Sequence, residues 1–204
     1  MNLHQLWLIT RYSFTEIWRN KTFRVAFMVL IPLLIAYQVS FQSDMFNIPV
    51  EYTLVLSSFI PTQNAYMFNL LLVFPLATMG FWVHKQKKYN TLEALLVHPQ
   101  GNDTYSTGFI LGIIIAFMIM GSISLALAGL INLFASPTSF QPLIYLFYLV
   151  TLFLPTIVFV VGITSFLAAR CFKNGTVTTF FMLVYLSVDI LFLSTLYHGL
   201  FDPL

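Results

Sequence analysis

From Tyr105 to Phe134 the chain runs without one charged side chain, further than the roughly 20 apolar residues a helix needs to cross about 30 Å of hydrocarbon. That stretch removes most fold classes at once. Lipid offers no hydrogen bonds to the backbone, so a run of this kind satisfies its own amides as a helix. Similar runs predict four further spans, at Thr22 to Phe41, Thr62 to Val83, Pro142 to Ala168 and Thr176 to Tyr197. The spans from Tyr105 and from Pro142 are long enough to tilt or to protrude beyond the bilayer. Composition agrees: 59% of the 204 residues are hydrophobic and 8% charged, with a mean hydropathy of +0.87, where soluble chains carry about a quarter charged residues. One soluble core of this length has no room for so much apolar surface. The expected fold is an all-α integral membrane protein with a single transmembrane domain over residues 1–204. Cys171 is the only cysteine, which excludes an intrachain disulfide framework. No cleavable signal or lipidation motif is recognisable.

Charge sets the orientation. All nine Lys and Arg residues fall in the N-terminal segment, in the loop after the second span, or in the short loop with Arg170 and Lys173, and the loops Gln42 to Pro61 and Ala135 to Gln141 hold none. By the positive-inside rule the N-terminus and the loop 84–104 are cytosolic, in a multi-pass protein of the cell's inner (plasma) membrane. The sequons at Asn20, Asn102 and Asn174 then lie on the cytosolic side and are chance matches.

Residues 1–21 read as an amphipathic elbow helix. Leu3, Leu6, Trp7, Phe14, Ile17 and Trp18, with Thr10 between, recur at helical spacing, while Leu8, Ile9 and Tyr12 blur the stripe. Arg11, Arg19, Lys21 and Arg24 beside tryptophans predict a helix lying flat in the cytosolic headgroup layer. Pro32, Pro75 and Pro155 fall inside spans and predict kinks, since each removes a helix hydrogen bond.

The one long polar interruption runs from His84 to Gly112. After Lys85, Lys87 and Lys88, the residues Tyr89, Leu92, Leu95 and Leu96 recur at helical spacing until Pro99 stops the pattern. Asn90 is placed to cap this short helix and Glu93 to answer from its third position. An amphipathic helix of about two turns between two spans is a handle for docking a soluble partner.

The run Thr91-Leu92-Glu93, then Leu95 and Pro99, then Gly108-Phe109-Ile110-Leu111-Gly112, resembles the segment between the second and third spans of type-2 ATP-binding-cassette permeases, the exporter family. Asn90 stands where that family usually has glycine, and Phe109 where it usually has lysine. The acidic residue common before the motif is replaced by lysines. The resemblance extends in layout over nearly the whole chain: elbow helix, first span, small outer loop, coupling helix after span two, cytosolic turn before span five. It implies the first five spans of a six-span permease, with the sixth, preceded by short helices on the outer face, expected beyond Leu204. It also implies that Asn90, Thr91, Leu92, Glu93, Leu95, Leu96 and Pro99 dock a cytosolic ATPase subunit, with Arg170 and Lys173 as a smaller contact. A second permease subunit, identical or different, would complete the path. ATP and magnesium would be bound by the partner, and no cofactor by this chain. In agreement, no GxxxxGK[ST] phosphate loop occurs, so the chain is not expected to be an enzyme of that kind.

In that family spans one, two and five tend to line the path. Asp189 is the only acidic residue deep inside an expected span, where a carboxylate costs roughly 2.5–3.5 kcal/mol and must face the bundle interior or find a partner. Asn69, at a similar depth, and Tyr37 and Gln38 near the outer end of span one complete the candidate path-lining set. The competing reading for all four is a helix-packing hydrogen bond. His4, His84, His98 and His198 do not gather in mid-span as haem or metal ligands would, and Glu93 lacks the companions a catalytic carboxylate needs. Gly108 and Gly112 form a small-xxx-small pair that permits close helix approach. Two other functions stay open on the residues: a membrane scaffold or assembly protein recruiting a partner through helix 91–97, and a small membrane-embedded enzyme. No feature points to nucleic acid, and the exported substrate is not legible.

Overall fold

The computed structural model describes residues 3–44, 60–65, 67–69, 72, 102–135, 140–170 and 184, and these are helical almost throughout. The amphipathic start forms α1, Leu3–Arg19, and the first apolar run forms α2, Lys21–Asp44. Only Asn20 separates them. Its N–H reaches back to the carbonyls of Glu16 (3.1 Å) and Ile17 (3.0 Å), and its own carbonyl accepts from Arg24 N–H (3.0 Å), so the junction needs no loop. The Arg24 guanidinium also donates to the Arg19 carbonyl at 3.3 Å, a cation on the exposed end of α1. Trp18 bridges the joint, with ring centroids 6.0 Å from Phe14 and Phe23 and 5.6 Å from Phe27.

The charge-free run forms α3, Asn102–Ala135. It is the column against which every other described helix packs. At 1.5 Å per residue its 34 residues span about 51 Å, well beyond the about 30 Å of a bilayer's hydrocarbon, as its sequence led one to expect. The chain returns through α4, Pro142–Tyr148, a π turn at Leu149–Phe153, and α5, Leu154–Arg170. Pro142 stands in the first turn of α4, where its missing N–H costs nothing. Pro155 lies two residues beyond the π turn. It has no N–H for the carbonyl four residues back, and the widened turn takes up that mismatch. Pro32, by contrast, sits inside an unbroken α2.

Contacts give the directions. Phe23 meets Phe117 edge-on at 5.8 Å, and Gln42 further along α2 reaches the carbonyl of Ala128 further along α3, so the two helices run the same way. The helical residues 60–65 and 67–69 run against α3, since Asn64 bonds Ser124 while Phe68 lies beside Gly121. The return strand of helix does the same, Tyr145 packing at Gly129 and Phe153 at Gly121. Phe23, Phe68, Phe117, Phe153, Ile17, Ile60 and Ile157 form the centre of the buried cluster.

Among the described residues, three helices are long and apolar enough to cross a membrane: Phe23–Gln42, Thr104–Phe134 and Pro142–Phe166. They coincide closely with the expected first, third and fourth spans. Their outward side chains, Val25, Met28, Val29 and Leu33 on α2 and Leu143, Leu146, Phe147 and Val150 on the return, are apolar and exposed, the surface of a membrane protein. Of the other two expected spans, Thr62 to Val83 is described only as helix at 62–65, 67–69 and 72, and Thr176 to Tyr197 only at Val184. Pro75 lies outside the described residues.

The first candidate span, Phe23–Gln42, agrees with the expected Thr22 to Phe41; its helix runs on to Asp44 and helix has resumed by Ile60, so both ends of the expected outer loop Gln42 to Pro61 are helical. One expectation is revised. The packed side of α1 is Ile9, Thr10, Ser13 and Ile17, while Leu3 and Trp7 of the anticipated stripe are exposed. The reason is the partner. α1 lies against the glycine-bearing side of α3, and only small groups such as Thr10 and Ser13 allow that closeness.

Candidate functional site

Two places in the described residues gather polar groups. The first is the seam between α1 and α3. A Cβ added at Gly108 would lie 2.8 Å from Ile9 Cγ2 and 3.3 Å from the Leu6 carbonyl oxygen, and one at Gly112 would lie 2.7 Å from Ser13 Cβ, 2.9 Å from the Thr10 carbonyl oxygen and 3.0 Å from Phe14 N. Ile9 opposite Gly108 and Ser13 opposite Gly112 repeat the same offset one turn apart. The helices therefore run side by side in one direction. α1 and the first half of α3 thus form a close side-by-side pair. Thr10 Oγ1 donates to the Leu6 carbonyl at 2.8 Å, which leaves its methyl group for the seam.

The second is a buried amide cluster joining α2, residues 63–64 and α3. Gln38 Nε2 donates to Asn64 Oδ1 (3.1 Å), and Asn64 Nδ2 and Ser124 Oγ stand 3.0 Å apart. Gln42 Nε2 donates to Gln38 Oε1 (3.0 Å) and to the Ala128 carbonyl (3.2 Å). All four side chains are at most 3% exposed. Amides in an apolar surround must pair with one another, and this set does so with one exception. Gln42 Oε1 is buried without a hydrogen-bond partner. Nearby, Tyr37 donates its hydroxyl to Gln63 Oε1 (3.2 Å) and stacks on Phe41, and Asn132 Nδ2 donates to the Tyr145 hydroxyl (2.9 Å).

Of the predicted path residues, Gln38 is thus consumed by packing hydrogen bonds inside the bundle. Tyr37 and Asn69 are half-buried. Asp189 lies outside the described residues, as do the docking positions Asn90, Thr91, Leu92, Glu93, Leu95, Leu96, Pro99 and Lys173. Arg170 is the last residue of α5. Sequence reasoning missed Gln42, Asn64 and Ser124. A usable signal was present, since Gln38 and Gln42 stand four apart on one helical face of an apolar run. The cluster consists of amides and one hydroxyl already bonded to an amide, which suits holding helices in register and not proton transfer. Among the described residues no three His, Cys, Asp or Glu come together as metal ligands would.

No known protein-family model matches this chain, and no characterised protein matches it either.

Proposed function

We propose that this chain is the permease subunit of an ATP-driven exporter, receiving its energy from a separate cytosolic ATPase. The observation that carries the reading is the α1 to α3 seam: Gly108 and Gly112, the glycines of the permease-like motif, are the residues that seat the amphipathic N-terminal helix. A motif that reads as docking followed by a glycine pair thereby acquires a mechanical sense. Closure of the ATPase on ATP would push segment 91–97, for which the sequence predicts a short amphipathic helix a few residues ahead of α3. Because α3 is the column for α1, α2 and the return helices, its tilt would carry the bundle as a body.

In this mechanism the amide cluster keeps α2, residues 63–64 and α3 moving together, and Gln38 braces Asn64. Tyr37, Asn69 and Asp189 line the path between this subunit and a second permease subunit. The chain supplies no nucleotide chemistry of its own; the partner binds ATP and magnesium.

A photo-crosslinking residue at Leu95, introduced into the full chain in native membranes, tests the reading. The expected adduct is a protein with a phosphate-loop motif. An adduct only to a soluble protein without one would replace the exporter by a scaffold that recruits that protein.

A further inference from the structure

The outward side of α1 carries charge that the seam does not use. Arg11, Thr15 and Arg19 follow one another at four-residue steps, so they share a face, and with Leu8, Tyr12 and Glu16 they line a shallow depression of about 370 Å³. Neither guanidinium has an ion-pair or hydrogen-bond partner for its side chain among the described residues, and both are exposed. Thr15 is tied down, its hydroxyl donating to the Arg11 carbonyl at 2.8 Å. Glu16 is the only acid in the depression; it is engaged by another group and lies close enough to Tyr105 of α3 to act on it. Around the arginines stand exposed apolar groups: Trp7, Leu8 and Tyr12 are each at least half exposed.

We propose that this face of α1 binds the headgroup phosphate of an anionic phospholipid, with Arg11 and Arg19 as the charged contacts. Three observations select that occupant. Arg11 and Arg19 stand eight residues, about 12 Å, apart along the helix, and their long side chains can reach one phosphate between them, which guanidinium groups would bind through planar, paired donors. The apolar residues beside them match glycerol and the first acyl carbons, which a free anion or an acidic peptide would leave bare. α1 is also fixed, at Gly108 and Gly112, to the first turns of the Thr104–Phe134 candidate span, the end that the positive-inside rule assigns to the anionic cytosolic leaflet. Leaflet charge would then hold α1 down, and through the glycine seam would hold α3.

The test counts lipids on the purified full chain in mild detergent by native mass spectrometry, with phosphatidylglycerol or phosphatidylcholine of equal chain length added. The wild type is expected to retain phosphatidylglycerol in clear preference. Arg11→Gln with Arg19→Gln should lower that preference about twenty-five-fold, at about fivefold for each cation at an anionic surface. Arg11→Lys with Arg19→Lys should keep part of it. Glycerol phosphate in excess should compete only weakly, because it lacks the chains. Equal retention of both lipids by the wild type, or an undiminished preference in the glutamine variant, would overturn the proposal; so would full competition by glycerol phosphate, which would mark a plain anion site. The wild-type comparison stands even where a variant expresses poorly.

Discussion

Replacing Gly112 with alanine adds one methyl group at the tightest point of the seam. Its Cβ would stand 2.7 Å from Ser13 Cβ, 2.9 Å from the Thr10 carbonyl oxygen and 3.0 Å from Phe14 N, where ordinary contacts begin near 3.4 Å. Two of these three neighbours are backbone, so no rotamer change relieves them and α1 must move outward by roughly half an ångström or more along its length. Overpacking of this kind costs about 1–3 kcal/mol. Alanine also favours a helix over glycine by about 1 kcal/mol, which would mask part of the loss. Gly162→Ala supplies the correction: it sits in α5 with nothing within 4 Å of the new Cβ, so it gains the propensity and meets no clash. The stability difference between the two alanine variants therefore isolates the seam, and should be about 1–3 kcal/mol against Gly112→Ala. For a chain of this size each kcal/mol moves the midpoint by about 2–4 °C, so a thermal melt of both variants in the same detergent reads it directly. If Gly112→Ala melts at or above Gly162→Ala, α1 does not lie on α3 at this distance.

Further outcomes follow from the amide cluster and the core. Asn64→Leu strips acceptors and donors from Gln38 and Ser124 together and should cost about 1–3 kcal/mol by denaturant or thermal unfolding. Gln42→Met exchanges one unpaired oxygen for another and should stay within about 1 kcal/mol of wild type, so an equal loss from both variants would contradict the hydrogen-bond assignment. Phe153, packed 5.1 Å from Phe68 and buried against Gly121, leaves a cavity when cut to alanine, and should cost about 3–5 kcal/mol in the same assay. Native mass spectrometry of the Arg11 and Arg19 variants, described above, should show the anionic-lipid preference disappear while the melt stays put, since both side chains project away from the seam.

Much of this architecture was written in hydropathy alone. The bounds of α2, α3 and the return helices agree with the apolar runs to within a few residues, because in lipid the backbone leaves a long apolar segment no choice but helix. The glycine pair was legible too, although its partner was not: nothing in Gly108 and Gly112 says which helix comes close. The face of α1 was legible in part, Thr10 and Ile17 of the expected stripe being buried and Phe14 and Trp18 packed on the core, while Leu3 and Trp7 are exposed for a related reason. Hydrophobic periodicity ranks Trp7 and Leu3 above Thr10 and Ser13, but a seam against glycine selects small side chains, and size is invisible to a hydropathy count. Gln42 was assigned to a loop on its polarity, yet it is buried because Gln38 and the Ala128 carbonyl receive its donors. Pairing across elements is what a linear reading lacks. The docking and path residues followed from resemblance to a family, and their assignment rests on that resemblance.

The central claim, that an ATPase drives this chain through residues 91–97, is tested most directly by purifying the full chain from its native membrane in mild detergent, with and without Leu92→Asp and Leu95→Asp. The account predicts that a phosphate-loop ATPase accompanies the unaltered chain and is lost from the double variant, while both melt alike. An unaltered chain that brings down no such ATPase, or a double variant that keeps it, would contradict the account.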